Sequence, residues 1–310
     1  MALRSRYPSA AIEEAHRRLD ELGDAFSPEV IAANFNIFAP LHERAPFSDV
    51  EITRDLRYGS DERHRLDVFR PKPADGVARP VLVFVHGGGF IGGDKTMPGA
   101  PFYDNVGAWG VRHGMIGVNV TYRLAPKHAW PAGSEDLGAA LSWVRSKIAS
   151  QGGDPARIYL MGQSAGGAHV AHFLAHQHFA SADRQALAGA ILVSGLYDTV
   201  TMDKNPMFKA YFGEDATRYA EQSALPGLAA CSTPLLVLIA EHDPSDFKRQ
   251  YVELMRAYLA ARGTLPRFAY LPSHGHLSTI LSVNTEDEFV GGRILDFVDT
   301  TTTAPVAVSA

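Results

Sequence analysis

The sequence predicts an α/β protein whose mostly parallel, eight-stranded sheet carries helices on both faces. Short apolar or alternating runs, each bounded by turn residues, predict the strands. Helix-length segments separate these runs from the third strand onward, and strands that alternate with helices form parallel sheets. The third run, at 81–85, is continuously apolar, which is typical of a strand buried on both faces.

The predicted strands follow one another along most of the chain. No helix separates the first two, so we expect them to form an antiparallel edge of the sheet. The strands lie at 50–56, 65–69, 81–85, 115–120, 158–161, 190–193, 235–239 and 267–271. The helices between and after them are predicted over roughly 100–113, 133–150, 165–178, 245–262 and 286–298.

Two further helices precede the first strand. Residues 10–22 are predicted to form an amphipathic helix that ends at Gly23. Residues 28–37 are predicted to form a second helix, with Pro28 suited to its first turn. Residues 1–45 therefore either cover a site as a lid or pack against the edge of the sheet, and the sequence does not decide between these two arrangements.

The composition excludes several classes of function. The chain has 310 residues, 46% of them hydrophobic, and a net charge of −5, which suits one domain over 1–300 followed by a flexible tail at 301–310. No basic block indicates nucleic acid, and no apolar run of about 18 residues indicates a membrane span. Cys231 is the single cysteine, so no intrachain disulfide can form. Because the first residues also lack an apolar signal core, we expect a cytoplasmic protein.

A sharp turn around a serine links the fifth predicted strand to a helix. The turn reads Gly162-Gln163-Ser164-Ala165-Gly166, and a helix-length run follows at once. G-x-S-x-G between strand and helix is typical of a nucleophile elbow, which holds the serine oxygen above the sheet at the positive end of the helix. Gly162 and Gly166 let two backbones pass close to the serine. The alternative is an ordinary Gly-Ser turn.

Three consecutive glycines follow the third strand directly, in His86-Gly87-Gly88-Gly89-Phe90. Such a run is unfavourable in chain entropy, so its bare backbone indicates a function. Acyl-transfer enzymes need N–H donors aimed at the oxygen that becomes negative, and Gly87, Gly88, Gly89 and Ala165 are the candidates for this oxyanion hole. A phosphate-binding loop fits badly, because neither G-K-S/T nor G-x-G-x-x-G is present. A plain loop is the other alternative, and His86 is expected to brace the loop.

The two motifs together resemble those of a known superfamily. H-G-G-G-F at 86–90 with G-Q-S-A-G-G at 162–167 is similar to the α/β-hydrolase superfamily, specifically its hormone-sensitive-lipase-like and arylformamidase-like esterases. Segments at 120–126, 130–136 and 153–158 resemble further family motifs, in the family's order. The resemblance covers about residues 50–300. It implies the α/β-hydrolase fold with a small helical cap.

The family's order places the catalytic acid after the serine and before the histidine. The family ends the corresponding strand with Asp-Pro, so the resemblance implies Asp243, which stands before Pro244. Its role would be to accept the histidine N–H and stabilise the imidazolium. Glu241 and Asp246 are fallbacks whose ordinary interpretation is a solvated loop carboxylate. Asp198, at the end of the previous strand, is interpreted as structural.

Two histidines follow the last strand as candidates for the base. His274 with Gly275 resembles one version of the family's motif, and His276-Leu277-Ser278 resembles the version of arylformamidase-like members. We choose His276, and expect His274 to line the pocket or brace the loop. A histidine is required because imidazole titrates near neutrality, so it can take the Ser164 proton and return it to the leaving group.

Three further histidines, His169, His172 and His176, lie at i, i+3 and i+7 after the serine turn. A metal site would need another ligand nearby, and the H-E-x-x-H pattern is absent. We interpret these residues as partly buried or solvent-facing helix side chains, and predict neither a metal nor a cofactor.

These observations predict a serine carboxylesterase in which Ser164, His276 and Asp243 act on a small ester. One alternative is an arylformamidase that cleaves an N-formyl aromatic amide. The His276-Leu277-Ser278 motif favours it, and H-G-G-G-F in place of the usual H-G-G-x-W disfavours it. The other alternative is a non-catalytic binding protein on the same fold, which the presence of both acid and base disfavours.

Substrate specificity depends on residues above the carboxyl ends of the strands. Residues 199–228 are expected there and form a candidate cap together with 1–45. The oligomeric state is open, and a homodimer is one option. Phe90 and Tyr197 are the first candidates for substrate contact, and plain core is the alternative for the wider aromatic and methionine set, Tyr122, Met202, Met207, Phe208, Tyr211 and Phe212.

Overall fold

One sheet organises the chain in the structure, a computed structural model that describes residues 9–176 and 187–302. Its strands are β1 (Val50–Arg57), β2 (Arg65–Pro71), β3 (Arg79–Val85), β4 (Ile116–Val120), β5 (Gly153–Gln163), β6 (Leu187–Val193), β7 (Leu235–His242) and β8 (Arg267–Gly275). Within the described residues, these eight strands lie in the order β1-β2-β4-β3-β5-β6-β7-β8.

The pairing of the strands confirms the predicted parallel sheet with an antiparallel edge. β1 pairs antiparallel with β2, and β2 with β4, whereas the other neighbours are parallel. The link from β1 to β2 is short, and only antiparallel strands can be joined so directly. β5 and β8 are longer than predicted, because β5 begins before its apolar run and extends to Gln163, and β8 continues beyond its run to Gly275.

The seven predicted helices are present in the predicted order, with differences at their ends, and four short helices of the described residues, at 206–212, 219–222, 225–230 and 278–281, were not predicted. They are α1 (Ala10–Leu22), α2 (Pro28–Phe38), α3 (Asp104–Arg112), α4 (Ala132–Lys147), α5 (Ala165–Ala175), α6 (Pro206–Phe212), α7 (Tyr219–Gln222), α8 (Leu225–Ala230), α9 (Ser245–Arg262), α10 (Ser278–Leu281) and α11 (Glu288–Thr302). α1 and α9 have the predicted bounds. The predicted extension of α5 to 178 falls partly outside the described ranges.

The predicted tail begins too early. Residues 301 and 302 still belong to α11, where Thr301 Oγ1 donates to the Phe297 carbonyl at 2.7 Å and contacts the Tyr159 hydroxyl at 2.9 Å. These contacts tie the last described turn to β5. The rest of the predicted tail, residues 303–310, lies outside the described ranges.

Apolar side chains cover both faces of the sheet. Along β3, Val81, Val83 and Val85 join a buried cluster that includes residues of α4 and α5. The alternate side chains, Leu82 and Phe84, join a second cluster with residues of α3 and α11. Because successive side chains of a strand point to opposite faces, the continuous apolar run serves both clusters, as predicted.

The two N-terminal helices pack beyond one end of the sheet. Leu19 of α1 and Phe38 of α2 share a buried cluster with Phe102, in the loop after β3, and with Leu281 of α10. The segments that carry Phe102 and Leu281 follow the carboxyl ends of β3 and β8. The helices therefore lie at the end of the sheet where parallel strands present functional loops.

Candidate active site

Ser164 occupies the turn between β5 and α5 in a strained conformation. Its φ of 56° and ψ of −124° place a non-glycine residue where a side chain is rarely accommodated. A Cβ on Gly162 would overlap the carbonyl of Gly166, and a Cβ on Gly166 would overlap that of Val85. The two glycines thus allow the tight turn, and the structure has the strand–turn–helix geometry of a nucleophile elbow.

Three predicted side chains meet at this turn. The Nε2 atom of His276 lies 2.9 Å from Ser164 Oγ, and its Nδ1 lies 2.7 Å from Asp243 Oδ1. A carboxylate can only accept, so the Nδ1–H of His276 donates to Asp243. Nε2 of the neutral ring is then free to accept the hydroxyl hydrogen of Ser164. The arrangement can remove a proton from the serine as the oxygen attacks.

Asp243 is fully buried, and its second oxygen has two further donors. Oδ2 accepts from the Ser194 hydroxyl at 2.7 Å and from the backbone N–H of Ala240 at 2.7 Å. A buried carboxylate needs such partners, since an unpaired one is strongly unfavourable. Ser194 was not predicted as a site residue, because no motif marks a serine whose partner lies 49 positions further along the chain.

The fallback acids have other partners. Glu241 Oε2 accepts the backbone N–H of Ser273 at 2.8 Å, which joins the ends of β7 and β8. Asp198 accepts the hydroxyls of Ser223 at 2.8 Å and Thr201 at 2.9 Å, in keeping with the structural role predicted for it. Asp246 lines the cavity beside the serine, and burial raises its pKa. Among the described carboxylates, only Asp243 has a hydrogen bond to the ring of His276.

His274 lies away from Ser164, with its ring fully buried. Its Nδ1 is 3.1 Å from Ser278 Oγ, and its Nε2 faces Asp287 at 3.4 Å. Of the two alternatives given for this histidine, bracing the loop fits these contacts, whereas lining the pocket does not.

The glycine loop lies beside the serine. Gly87, Gly88, Gly89 and Ala165 all line the same cavity as Ser164. Gly88 has a φ of 128° and Gly89 a φ of 59°, which favour glycine, and a Cβ on Gly88 would overlap the carbonyl of Gly92. Within the described residues, the backbone N–H groups of Gly88, Gly89 and Ala165 have no hydrogen-bond acceptor. They are therefore available to a substrate oxygen.

His86 braces the glycine loop through hydrogen bonds, as predicted. Its Nδ1–H donates to the Gly87 carbonyl at 2.6 Å, and the Tyr122 hydroxyl donates to the His86 carbonyl at 2.9 Å. The two rings stack with centroids 4.4 Å apart. Burial lowers the pKa of His86 to about 3, so the ring is neutral at physiological pH.

A largely apolar cavity of about 470 Å³ opens onto Ser164 and His276. Phe90, predicted as a substrate contact, lines it. Two segments that were predicted to form a candidate cap, 1–45 and 199–228, contribute much of its apolar wall. The first supplies Phe26, Ile31 and Phe35, and the second supplies Met202, Met207 and Phe208.

Tyr197 does not line this cavity, so its prediction as a substrate contact is wrong. Its ring is 1% exposed and belongs to the large core cluster on the α4 and α5 side of the sheet. The preceding residue, Leu196, lines the cavity instead. Tyr122, Tyr211 and Phe212 of the wider predicted set are also absent from the cavity wall and pack in buried clusters.

The histidines of α5 are more buried than predicted. His169 and His172 are fully buried, because this helix is covered on all sides by the sheet, α4 and the segment that carries α6. The Nδ1 atom of His169 lies 3.3 Å from the Tyr211 hydroxyl, and burial lowers the pKa of His169 to about 3. Its interpretation as partly buried is therefore wrong, and it is a neutral core residue.

Across residues 9–176 and 187–302, two groups of potential ligands lie close enough together to hold an ion, His16 with His274 and Asp287, and Asp20 with Glu241 and His242. Within the same ranges, the helices are too short or too polar to cross a membrane.

A strained serine between strand and helix, above the carboxyl ends of a mostly parallel sheet, defines the α/β-hydrolase class of protein. The chain belongs to this class, because residues 82–276 match the family described as alpha/beta hydrolase fold.

Curated relatives and solved structures agree with this assignment. The chain is 30% identical to Esterase LipQ of Mycobacterium tuberculosis over 266 residues, which cover 79% of this chain and 62% of LipQ. It is 48% identical to Carboxylesterase NlhH of the same species over 89 residues, 28% of this chain and 26% of NlhH. The chain thus spans less than two thirds of the length of these relatives. The crystal structure of Esterase B from Lactobacillus rhamnosis superposes with a TM-score of 0.69 at 18% identity, over 94% of this chain and 96% of that one, and shares the fold.

Proposed function

We propose that the protein is a serine carboxylesterase that hydrolyses small carboxylic esters through an acyl-enzyme intermediate. The observation that carries the proposal is the 2.9 Å contact between Ser164 Oγ and His276 Nε2, with Asp243 bound to the opposite ring nitrogen. The names of the relatives LipQ and NlhH, an esterase and a carboxylesterase, support the same chemistry.

In the first half-reaction, Ser164 Oγ attacks the ester carbonyl while its hydrogen passes to His276 Nε2. Asp243 stabilises the imidazolium that forms. The carbonyl oxygen becomes negative and accepts hydrogen bonds from Ala165 and from two of the loop glycines, Gly87, Gly88 and Gly89. The ester C–O bond then breaks, and the alcohol leaves with the proton from His276.

In the second half-reaction, water replaces the alcohol. Nε2 of His276 takes a proton from the water as its oxygen attacks the acyl carbonyl, and the same N–H donors hold the second oxyanion. The bond to Ser164 Oγ breaks, the serine regains its hydrogen from His276, and the acid leaves. The chain's own residues provide every proton transfer, so the proposed reaction uses no cofactor.

Residues 1–45 and 199–228 are proposed as the two parts of a small cap on a single domain that spans 1–300. Both segments contribute apolar side chains to the cavity wall above Ser164. An apolar cavity of about 470 Å³ suits a small ester, and aromatic side chains such as Phe90 and Phe26 would contact its acyl or alcohol part.

We propose a cytoplasmic location because the chain has a single cysteine. We also propose a homodimer, because the aromatic rings of Phe268 and Tyr270 are exposed on the outer strand β8.

The test of the function compares the protein with its Ser164→Ala variant on p-nitrophenyl acetate and butyrate. We expect a fall in kcat of several orders of magnitude, as triad variants of serine hydrolases show. Thermal unfolding of the variant should match that of the parent, so that the loss is one of chemistry. Equal turnover by the two proteins would dismiss the proposal.

One alternative function is that of an arylformamidase, in which the same residues cleave an amide bond instead of an ester bond. Aromatic rings of Phe26 and Phe247 lie 5.1 Å and 4.2 Å from the ring of His276, which also suits an N-formyl aromatic amide. Comparing kcat/KM on N-formylkynurenine with that on short esters separates the two. A preference for the formamide would make the protein an arylformamidase.

A further inference from the structure

A second cluster of histidine and aspartate lies on the far side of the base loop. His16 of α1, His274 at the end of β8 and Asp287 just before α11 place one ligand atom each within 4.8 Å of the others. The Nε2 atoms of the two histidines both face Asp287 Oδ2, at 2.8 Å from His16 and 3.4 Å from His274. The side chains of His274 and Asp287 are fully buried, and that of His16 is 14% exposed.

The Nε2 atom of His274 has no hydrogen-bond partner in the described residues. Its distance to Asp287 is too long for a hydrogen bond of good geometry. Ser278 Oγ accepts the N–H of Gly275 at 2.8 Å and donates its single hydrogen to the Gly275 carbonyl at 3.1 Å. The Nδ1–H of His274 then donates to Ser278, which leaves a lone pair on Nε2. A lone pair and a carboxylate that face each other are unfavourable unless a cation, either a proton or a metal ion, lies between them.

The spacing of the three side chains fits a tetrahedral metal ion. Ligands about 2.0–2.1 Å from zinc lie about 3.3 Å from one another, and two imidazoles on one zinc have ring centres about 5.2 Å apart. The observed distances are 2.8 Å and 3.4 Å between ligand atoms, and 5.2 Å between the ring centres of His16 and His274. An ion could therefore enter with little rearrangement of Asp287 and the two rings.

Two of the three side chains, His274 and Asp287, have the outer contacts that metal sites require. Ligating histidines donate their other N–H to a fixed acceptor, as His274 does to Ser278, and ligating carboxylates are hydrogen-bonded in turn. Asp287 Oδ1 accepts the backbone N–H of Phe289 at 3.1 Å. The Phe289 ring lies against both imidazoles and shields the cluster.

We propose that His16, His274 and Asp287 form a binding site for a divalent transition metal, for which zinc fits best. The ion would have three protein ligands, and water could reach the fourth position past the partly exposed His16. Its role would be structural, because the site joins α1, whose following segment supplies Phe26 to the cavity, to the loop that carries His276. The site is separate from Ser164 and does not depend on the proposed function.

The test uses the full chain without a histidine tag, stripped of metal by a chelator and then titrated with zinc. We expect one equivalent of zinc to bind, the melting temperature to rise by several degrees, and cobalt to give the visible absorption of a tetrahedral site. His16→Gln is the informative variant, since its amide can still donate to Asp287 but is not a zinc ligand. Its zinc affinity should fall roughly tenfold or more.

His242→Ala is the matched control, because His242 belongs to the other group of potential ligands, with the half-buried Glu241 and the exposed Asp20. Its zinc-dependent rise in melting temperature should equal that of the parent chain. Absence of binding to the parent, equal binding by His16→Gln, or loss of binding only in His242→Ala would each overturn the proposal. In that case the cluster would be a hydrogen-bonded His–Asp–His group.

Discussion

Ser194 should position the proposed catalytic acid, and replacing it with alanine tests how the triad is held. Ser194 Oγ donates to Asp243 Oδ2 at 2.7 Å, and Asp243 Oδ1 in turn holds His276 at 2.7 Å. Ser194 is fully buried and does not line the cavity, so it cannot contact a substrate there. Its φ of 46° suits serine and alanine equally badly, so the substitution changes little besides the hydroxyl.

The expected magnitude follows from the hydrogen bond that is lost. A hydrogen bond to a charged group contributes about 1.5–3 kcal/mol, and a loss of that size in the transition state corresponds to roughly a 10- to 150-fold slower reaction. The N–H of Ala240 still binds the same oxygen of Asp243, at 2.7 Å. We therefore expect Ser194→Ala to lower kcat by about tenfold, near the lower end of this range, and to leave KM unchanged.

The assay is steady-state hydrolysis of p-nitrophenyl butyrate by the parent chain and the variant, with thermal unfolding of both. Ser282→Ala is the matched control, because the Ser282 hydroxyl is also fully buried but has no hydrogen-bond partner in the described residues. Its kcat should stay within about twofold of the parent value, since no bond is lost.

Two results would contradict the role of Ser194 in positioning Asp243. An unchanged kcat in Ser194→Ala would mean that Asp243 is held without this hydroxyl. A rise in KM at constant kcat would mean that the substitution acts on substrate binding, contrary to the position of Ser194 outside the cavity.

Three further predictions concern the glycine loop, the buried histidines and the cap. Gly88→Ala keeps its N–H, but its Cβ would overlap the Gly92 carbonyl and displace the loop, so kcat should fall by about 100- to 1000-fold, the effect of a lost oxyanion donor. Gly92→Ala, whose Cβ would meet only ordinary contacts, should be near-neutral, and equal effects of the two substitutions would contradict the loop's role. Burial lowers the pKa of His86 and of His169 to about 3. Because these histidines have an ordinary pKa of about 6.5 in the unfolded chain, only the unfolded chain binds protons at them as the pH falls from 7.5 to 5. The free energy of unfolding, measured in urea, should therefore drop by about 2 kcal/mol per histidine over this range. A pH-independent free energy of unfolding would contradict this. Phe26→Ala should raise KM for butyrate esters several-fold with little change in melting temperature, because Phe26 is 44% exposed and lines the cavity; the same KM change in Leu259→Ala, on the outer face of α9, would refute a specific contact.

Local patterns in the sequence predicted most of the fold. α1 and α9 begin and end where predicted, because their apolar spacing and following glycines are signals contained within each segment. The antiparallel pairing of β1 with β2 follows from the length of one loop. The ends of β5 and β8 were missed, since extended backbone beyond the apolar run has no side-chain pattern of its own.

Errors in the predicted site concern burial and distant partners. Tyr197 follows a strand end, as a pocket residue would, but its ring turns into the core beside Gly195. The burial of His169 depends on Tyr122 and Tyr211, which come from other elements. Ser194 contacts Asp243 only because β6 and β7 are neighbours in the sheet. Single-sequence patterns contain no information on such pairs.

The site itself was predicted by chain order and family resemblance. The structure brings Ser164, Asp243 and His276 together, and directs His274 towards Asp287. Which of the two histidines faces the serine depends on how the chain turns after β8, with Gly275 at the strand end. Their catalytic roles stay a prediction until activity is measured.

Covalent labelling of Ser164 is the most direct test of its proposed role as the nucleophile. The parent chain is treated with a fluorophosphonate, and the adduct is located by mass spectrometry of peptides, beside Ser164→Ala and His276→Ala. We predict one adduct on Ser164, absent from Ser164→Ala and formed far more slowly in His276→Ala. No adduct on the parent chain, or one that persists in Ser164→Ala, would contradict it.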